Sequence, residues 1–129
     1  MLTVTRKFKF CYGHFLPDYE GKCKNVHGHN AILEVELGDY VIHPGGKATY
    51  AGMIIDFGDL KKIVEKEVID LLDHKLINDI QGIEDSRPTA ENMTMWIVGR
   101  LYQSFGNNLR RVRLYETDDC YAEWRVDET

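Results

Sequence analysis

His27 and His29 stand two residues apart in "CKNVHGHN", residues 23–30. On a helix they would diverge, but on an extended strand their side chains point the same way. They share parity with Ala31 and Leu33, which places them at the start of a strand. Two imidazoles so placed form a two-nitrogen metal clamp. His14, remote in sequence, supplies a third nitrogen if its strand pairs with theirs. Three imidazoles and an open position make a catalytic zinc site, whereas a fourth protein ligand makes a structural one. Cys23 separates the two readings. As a ligand it closes the site; as a free thiol beside the metal it leaves the site open. Lys22 and Lys24 flank it, and neighbouring cations favour a thiolate.

Two further groups carry possible chemistry. Asp73 and His74 close a helix in "LLDHKLIND" (71–79). A histidine there is stabilised by the helix dipole; alternatively, carboxylate and imidazole assist Cys23 in proton transfer. Glu116 shares the parity of Val112 and Leu114, so it points to the core side and needs a partner. That partner is either an arginine or a ligand offering a fork of N–H donors, such as the amino-amide edge of a pterin or guanine. His43 reads as a surface histidine, and Cys11 and Cys120 as inert thiols.

The elements that must position these groups follow from periodicity. Val4, Phe8, Phe10 and Tyr12 share one parity, with Arg6 the exception, and His14 continues it. "AILEVEL" (31–37) alternates as a second strand, "HPGGK" (43–47) is a turn, and "TYAGMIID" (49–56) returns as a strand. The period then switches. Leu60, Ile63, Val64, Val68, Leu71 and Leu72 form a helical stripe over residues 56–72, with Asp56 or Asp59 at its N-terminus. Thr89 caps a second helix whose core stripe is Ala90, Met93, Ile97 and Leu101, ended by "FGNN" (105–108). Two strands follow, "RVRLYE" and "YAEWRV", joined by the hairpin "TDDC" (117–120). The expected architecture is α+β, in the order ββααββ. It is one domain over 1–129, a four-stranded antiparallel sheet with both helices on one face. The other sheet face is polar and must meet water or a partner.

Composition narrows the function classes. The chain has 129 residues and a net charge of −5, which disfavours non-specific binding to nucleic acid or anionic membranes. No apolar run approaches the roughly eighteen residues of a membrane span, and "MLTVTRKFKF" does not read as a signal peptide. Three widely spaced cysteines make no disulfide framework, so a reducing cytosol is expected.

Taken together, "FCYGHFL" (10–16), "CKNVHGHN" (23–30), "GMIIDFGDLK" (52–61), "LLDHKLIN" (71–78), "RPTAEN" (87–92) and "LYET" (114–117) resemble the 6-pyruvoyl-tetrahydropterin synthase family over nearly the whole chain. The three residues between Cys23 and His27 are most similar to its 6-carboxy-tetrahydropterin synthase branch, which serves queuosine biosynthesis. The resemblance implies zinc held by His14, His27 and His29, with Cys23 as general base. Asp73 and His74 would complete a relay across a subunit boundary. Glu116 would anchor the pterin ring and join the relay as a catalytic residue, with Thr117 near the ring. It also implies the tunnelling fold, assembled as a homohexamer of two stacked trimers. The substrate would be dihydroneopterin triphosphate, and Lys22, Lys24 or Arg87 would meet its triphosphate. The alternatives are a pyruvoyl-forming synthase, an enzyme cleaving dihydroneopterin itself, and a non-catalytic zinc-stabilised oligomer that binds pterin or purine. Two features depart from the family pattern. "YGH" (12–14) replaces the usual Ala-Ala-His, and the loop at 38–52 is long.

Overall fold

The structure, a computed structural model, describes residues 1–40 and 52–127. Two long strands, β1 (Leu2–His14) and β2 (His27–Asp39), pair antiparallel along their whole length, from Leu2 opposite Asp39 to His14 opposite His27. The first helix, α1 (Phe57–Val64), continues through a π-helical turn (Glu65–Ile69) into Asp70–Leu72. A short strand β3 (Lys75–Leu76), helix α2 (Ala90–Phe105) and strands β4 (Leu109–Thr117) and β5 (Cys120–Arg125) complete the order. The sheet runs β3-β1-β2-β4-β5.

The expected sheet of four strands therefore has a fifth. β3 is two residues long and lies parallel to β1 at Tyr12 and Gly13. Two residues carry no periodicity, so nothing in "HKLIN" marks a strand. His74 creates it: at φ 60° it turns the chain out of the helix, and its amide donates to the Cys11 carbonyl at 2.6 Å. The turn at 43–47, His43 and residues 49–51 lie outside the described residues. Residues 52–56 bend toward α1 and are not a strand. There Gly52 takes φ 75°, and Ile54 and Ile55 pack against the core from irregular backbone.

Both helices lie on one sheet face. Phe8, Phe10, Leu33, Val35, Val112 and Leu114 from the strands share one buried cluster with Leu60, Val64, Val68, Leu72, Met93, Ile97 and Leu101. Leu71, expected in the helical stripe, is instead exposed. The π turn explains this. In a regular helix, at 3.6 residues per turn, position 71 would return to the azimuth of Leu60. The wider turn absorbs an extra residue, so Leu72 takes that place and the buried set falls every fourth residue, 60, 64, 68 and 72. Arg100 on α2 satisfies the loosened turn. Its Nε donates to the Glu67 carbonyl at 2.5 Å and its Nη2 meets Glu67 Oε2 at 2.9 Å.

The caps follow the sequence. Asp56 accepts from the amides of Gly58 and Asp59 at 2.8 and 3.2 Å, and Thr89 accepts from Asn92 at 3.1 Å. On the polar face, Glu34 and Glu123 bind Arg111 at 3.2 and 3.4 Å, and Arg113 Nε meets Glu123 at 2.7 Å. Among the described residues, no helix is long and apolar enough to cross a membrane.

Candidate metal centre

The β1–β2 register does what the histidine spacing needed. His14 lies directly opposite His27, and Tyr12 opposite His29. All three imidazoles fall on the core-side parity at one end of the sheet, with ring centroids 4.5–4.9 Å apart. One nitrogen from each of His14, His27 and His29 lies within 4.8 Å of the other two. Cys23 is not in that set.

Hydrogen bonds fix which nitrogens face inward. His14 Nδ1 is 2.8 Å from the Pro88 carbonyl, and His27 Nδ1 is 2.7 Å from the Asn25 carbonyl. A carbonyl only accepts, so each Nδ1 carries the proton and each Nε2 presents a lone pair. His29 Nε2 is 3.1 Å from His14 Nε2; two nitrogens each about 2.0 Å from a tetrahedral ion sit roughly 3.3 Å apart. Burial, above all, lowers the pKa of His14 and of His29, and neutral imidazole is the form that binds a metal. Glu116 Oε1 adds negative charge 3.4 and 3.3 Å from His14 and His29 Nε2. Converging lone pairs beside a carboxylate repel one another unless a cation lies among them, so this donor set fits a divalent metal. Carbonyl partners that lock ligand tautomers are a regular feature of such centres.

Each contributing segment has a local reason for its place. The turn before α2 delivers the Pro88 carbonyl, held by the Thr89 cap and by Asn92 Nδ2 donating to the Arg87 carbonyl at 2.8 Å. A 3₁₀ turn (Lys22–Lys24) carries Cys23, which is half-buried. Its carbonyl accepts from Leu16 N at 2.7 Å, tying the β1–β2 connection together. Glu116 is half-buried rather than enclosed. The β4–β5 register shifts between Tyr115 and Thr117, and such an irregularity re-aims a side chain. Its partners are the histidines rather than an arginine. Beside it, a cleft of about 370 Å³ opens between Ala90 and Glu91 of α2 and Tyr121 and Ala122 of β5. Thr117 is exposed and donates its hydroxyl to Asp119 Oδ1 at 2.8 Å, within its own hairpin.

Asp73 and His74 are joined, with His74 Nδ1 2.9 Å from Asp73 Oδ1. The Cys11 amide, 3.0 Å from the same oxygen, is the main cause that holds the Asp73 carboxyl below its usual range, with His74 adding to it. The His74 side chain is 77% exposed. It lines two clefts together with Cys11 and Asn30, one of which His27 and His29 also line; Cys23 lines neither. Within one chain the dyad thus faces outward. Of the other expected contacts, Arg87 donates to the Pro17 carbonyl at 3.3 Å.

The sequence reading missed three participants. Two are backbone carbonyls, at Asn25 and Pro88, which no residue type announces. The third is Tyr12, 3% exposed, whose enclosed hydroxyl has no hydrogen-bond partner among the described residues. Burial first, and the Glu116 charge second, raise its pKa. Alternation alone identified it as a core residue.

An α+β chain with three converging histidines at the strand ends has the build of a small enzyme domain with a candidate metal centre. Residues 3–127 match the family model for 6-pyruvoyl tetrahydropterin synthase, and the chain belongs to that family. It is 32% identical to the 6-carboxy-5,6,7,8-tetrahydropterin synthase of Haemophilus influenzae, across 97% of this chain and 99% of that protein. It is 35% identical to the 6-pyruvoyl tetrahydrobiopterin synthase of Dictyostelium discoideum, across 81% and 74%. The Caenorhabditis elegans 6-pyruvoyl tetrahydropterin synthase structure superposes with a TM-score of 0.82 at 26% identity, covering 98% of this chain and 96% of that one. The fold is the tunnelling fold of that family, and the chain is one of its lyases.

Proposed function

We propose that the chain is a zinc-dependent lyase that converts 7,8-dihydroneopterin triphosphate to 6-carboxy-tetrahydropterin, a step toward queuosine. Triphosphate and acetaldehyde leave, and one water enters to balance the atoms. The observation that carries this reading is the placement of Cys23 outside a complete set of three nitrogens, with three residues between it and His27. The Haemophilus relative supports the carboxy-forming branch.

Zinc, when bound, acts as a Lewis acid on the substrate's side-chain hydroxyls. His14, His27 and His29 hold it through Nε2. The Cys23 thiolate takes a proton from the substrate side chain, and His74, oriented by Asp73, relays it. Glu116 fixes the pterin ring through its N–H edge, at the cleft beside α2, with Thr117 near the ring. The exposed Asp73–His74 dyad of one protomer completes the relay with Cys23 of a neighbouring protomer. The sheet edges support such assembly. Among the described residues β1 is paired on its outer side only at Tyr12 and Gly13, and β5 closes the other edge of the sheet. Exposed edges recruit strands, and the polar face then lines the interior of a trimer, two of which stack as a homohexamer. Three free cysteines fit a cytosolic enzyme.

The second reading is the pyruvoyl-forming synthase, favoured by the Dictyostelium relative. Incubating zinc-loaded protein with dihydroneopterin triphosphate decides between them. Acetaldehyde with triphosphate and a 6-carboxypterin is the expected result. Triphosphate without acetaldehyde assigns the pyruvoyl-forming reaction, and the absence of both rejects the enzyme reading in favour of a binding protein.

A further inference from the structure

Tyr12 is buried against the candidate centre without a role in the reading above. Its ring lies 5.2 Å from that of His14, edge-on, and 5.5 Å from that of His29. The side chains around it are tied down. His14 and His27 hold carbonyls, and His29 holds His14. The Tyr12 hydroxyl is enclosed and has no hydrogen-bond partner among the described residues. Buried hydroxyls in native proteins are nearly always paired, and an unpaired one calls for an explanation.

The acceptor nearest to hand chemically is Glu116. Its carboxylate meets His14 and His29 through Oε1, and a carboxylate has about four lone-pair sites. Once a metal takes the three Nε2 lone pairs, His29, like His14 and His27, has no Nε2–H to offer the carboxylate, and a different donor must orient it. We propose that Tyr12 is a positioning residue: its hydroxyl donates a hydrogen bond to the Glu116 carboxylate when the triad holds its metal, and thereby sets the carboxylate's direction.

This rests on the reading of the triad as a metal centre, and the test separates the two. Zinc affinity is measured by competition with a chromogenic chelator for the wild type, Tyr12→Phe, Glu116→Ala and the double variant. Melting temperatures are taken after metal removal. Tyr12→Phe keeps the ring, so the metal-free protein is expected to melt no lower than wild type. Its zinc affinity is expected to fall by up to about tenfold, because a carboxylate no longer held against His14 and His29 lends the cation less negative charge. In the Glu116→Ala background the same substitution is expected to cost nothing further. Equal zinc affinity of wild type and Tyr12→Phe overturns the role of Tyr12 alone. A loss that persists undiminished in Glu116→Ala overturns Glu116 as its acceptor. Wild-type protein that takes up no zinc overturns the metal reading, and the Tyr12 role with it.

Discussion

Replacing Cys23 with alanine separates the two roles open to a thiol near three imidazoles. Cys23 lies outside the group of converging nitrogens, so Cys23→Ala is expected to keep its zinc, measured by elemental analysis. Turnover falls by about a hundredfold or more, the usual contribution of a positioned proton-transfer group. Zinc lost in step with activity would instead make the thiol a ligand. The histidines were legible at this scale because a two-residue spacing has one meaning on a strand. Tyr12 and the two carbonyls were not, because their importance comes from what lies opposite them rather than from residue type.

At the scale of elements, the π turn is the feature that alternation and stripes could not supply. It exists because Leu60, Val64, Val68 and Leu72 are all fully buried, and a regular helix would carry them progressively off one face. Arg100→Ala removes both the cap on the Glu67 carbonyl and the ion pair. The expected cost is about 1–3 kcal/mol, read as a melting temperature several degrees lower. The polar sheet face makes a pH prediction. Burial raises the Glu123 pKa, but the Arg113 hydrogen bond and charge, with Arg111 and Arg125, outweigh it and hold the carboxyl below its ordinary value. A carboxyl depressed on folding stabilises the fold above its unfolded pKa, and that contribution is lost as pH falls through the lower folded value. The melting-temperature gap between wild type and Glu123→Gln is therefore expected at neutral pH. It closes as the pH is taken below about 4, below the ordinary glutamate pKa.

At the scale of the whole molecule, the proposed relay brings the exposed His74 of one protomer to Cys23 of another. His74 lines clefts with Cys11 and Asn30, and Cys23 does not. If two protomers share one centre, Cys23→Ala and His74→Ala are each inactive alone. Dissociated and reassembled together, they are expected to recover a fraction of wild-type turnover, because some mixed interfaces carry both intact groups. Recovery no greater than the sum of the separate variants places the relay within one chain.

The sequence by itself determined the strand and helix periods, both helix caps, the core faces and the three histidines, because each depends on local spacing or on the chemistry of a single side chain. It also carried the family, through motifs in a fixed order. Only the tertiary structure decided the fifth strand, the phase shift that exposes Leu71 and the pairing of Glu116 with His14 and His29. It likewise decided the carbonyls that hold His14 and His27 in their tautomers. These arise where segments distant in sequence meet: a left-handed turn at His74 against β1, a π turn against α2, and the Pro88 carbonyl against the end of β1. Pairing across such distances is set by packing of the whole core, and no local pattern records it.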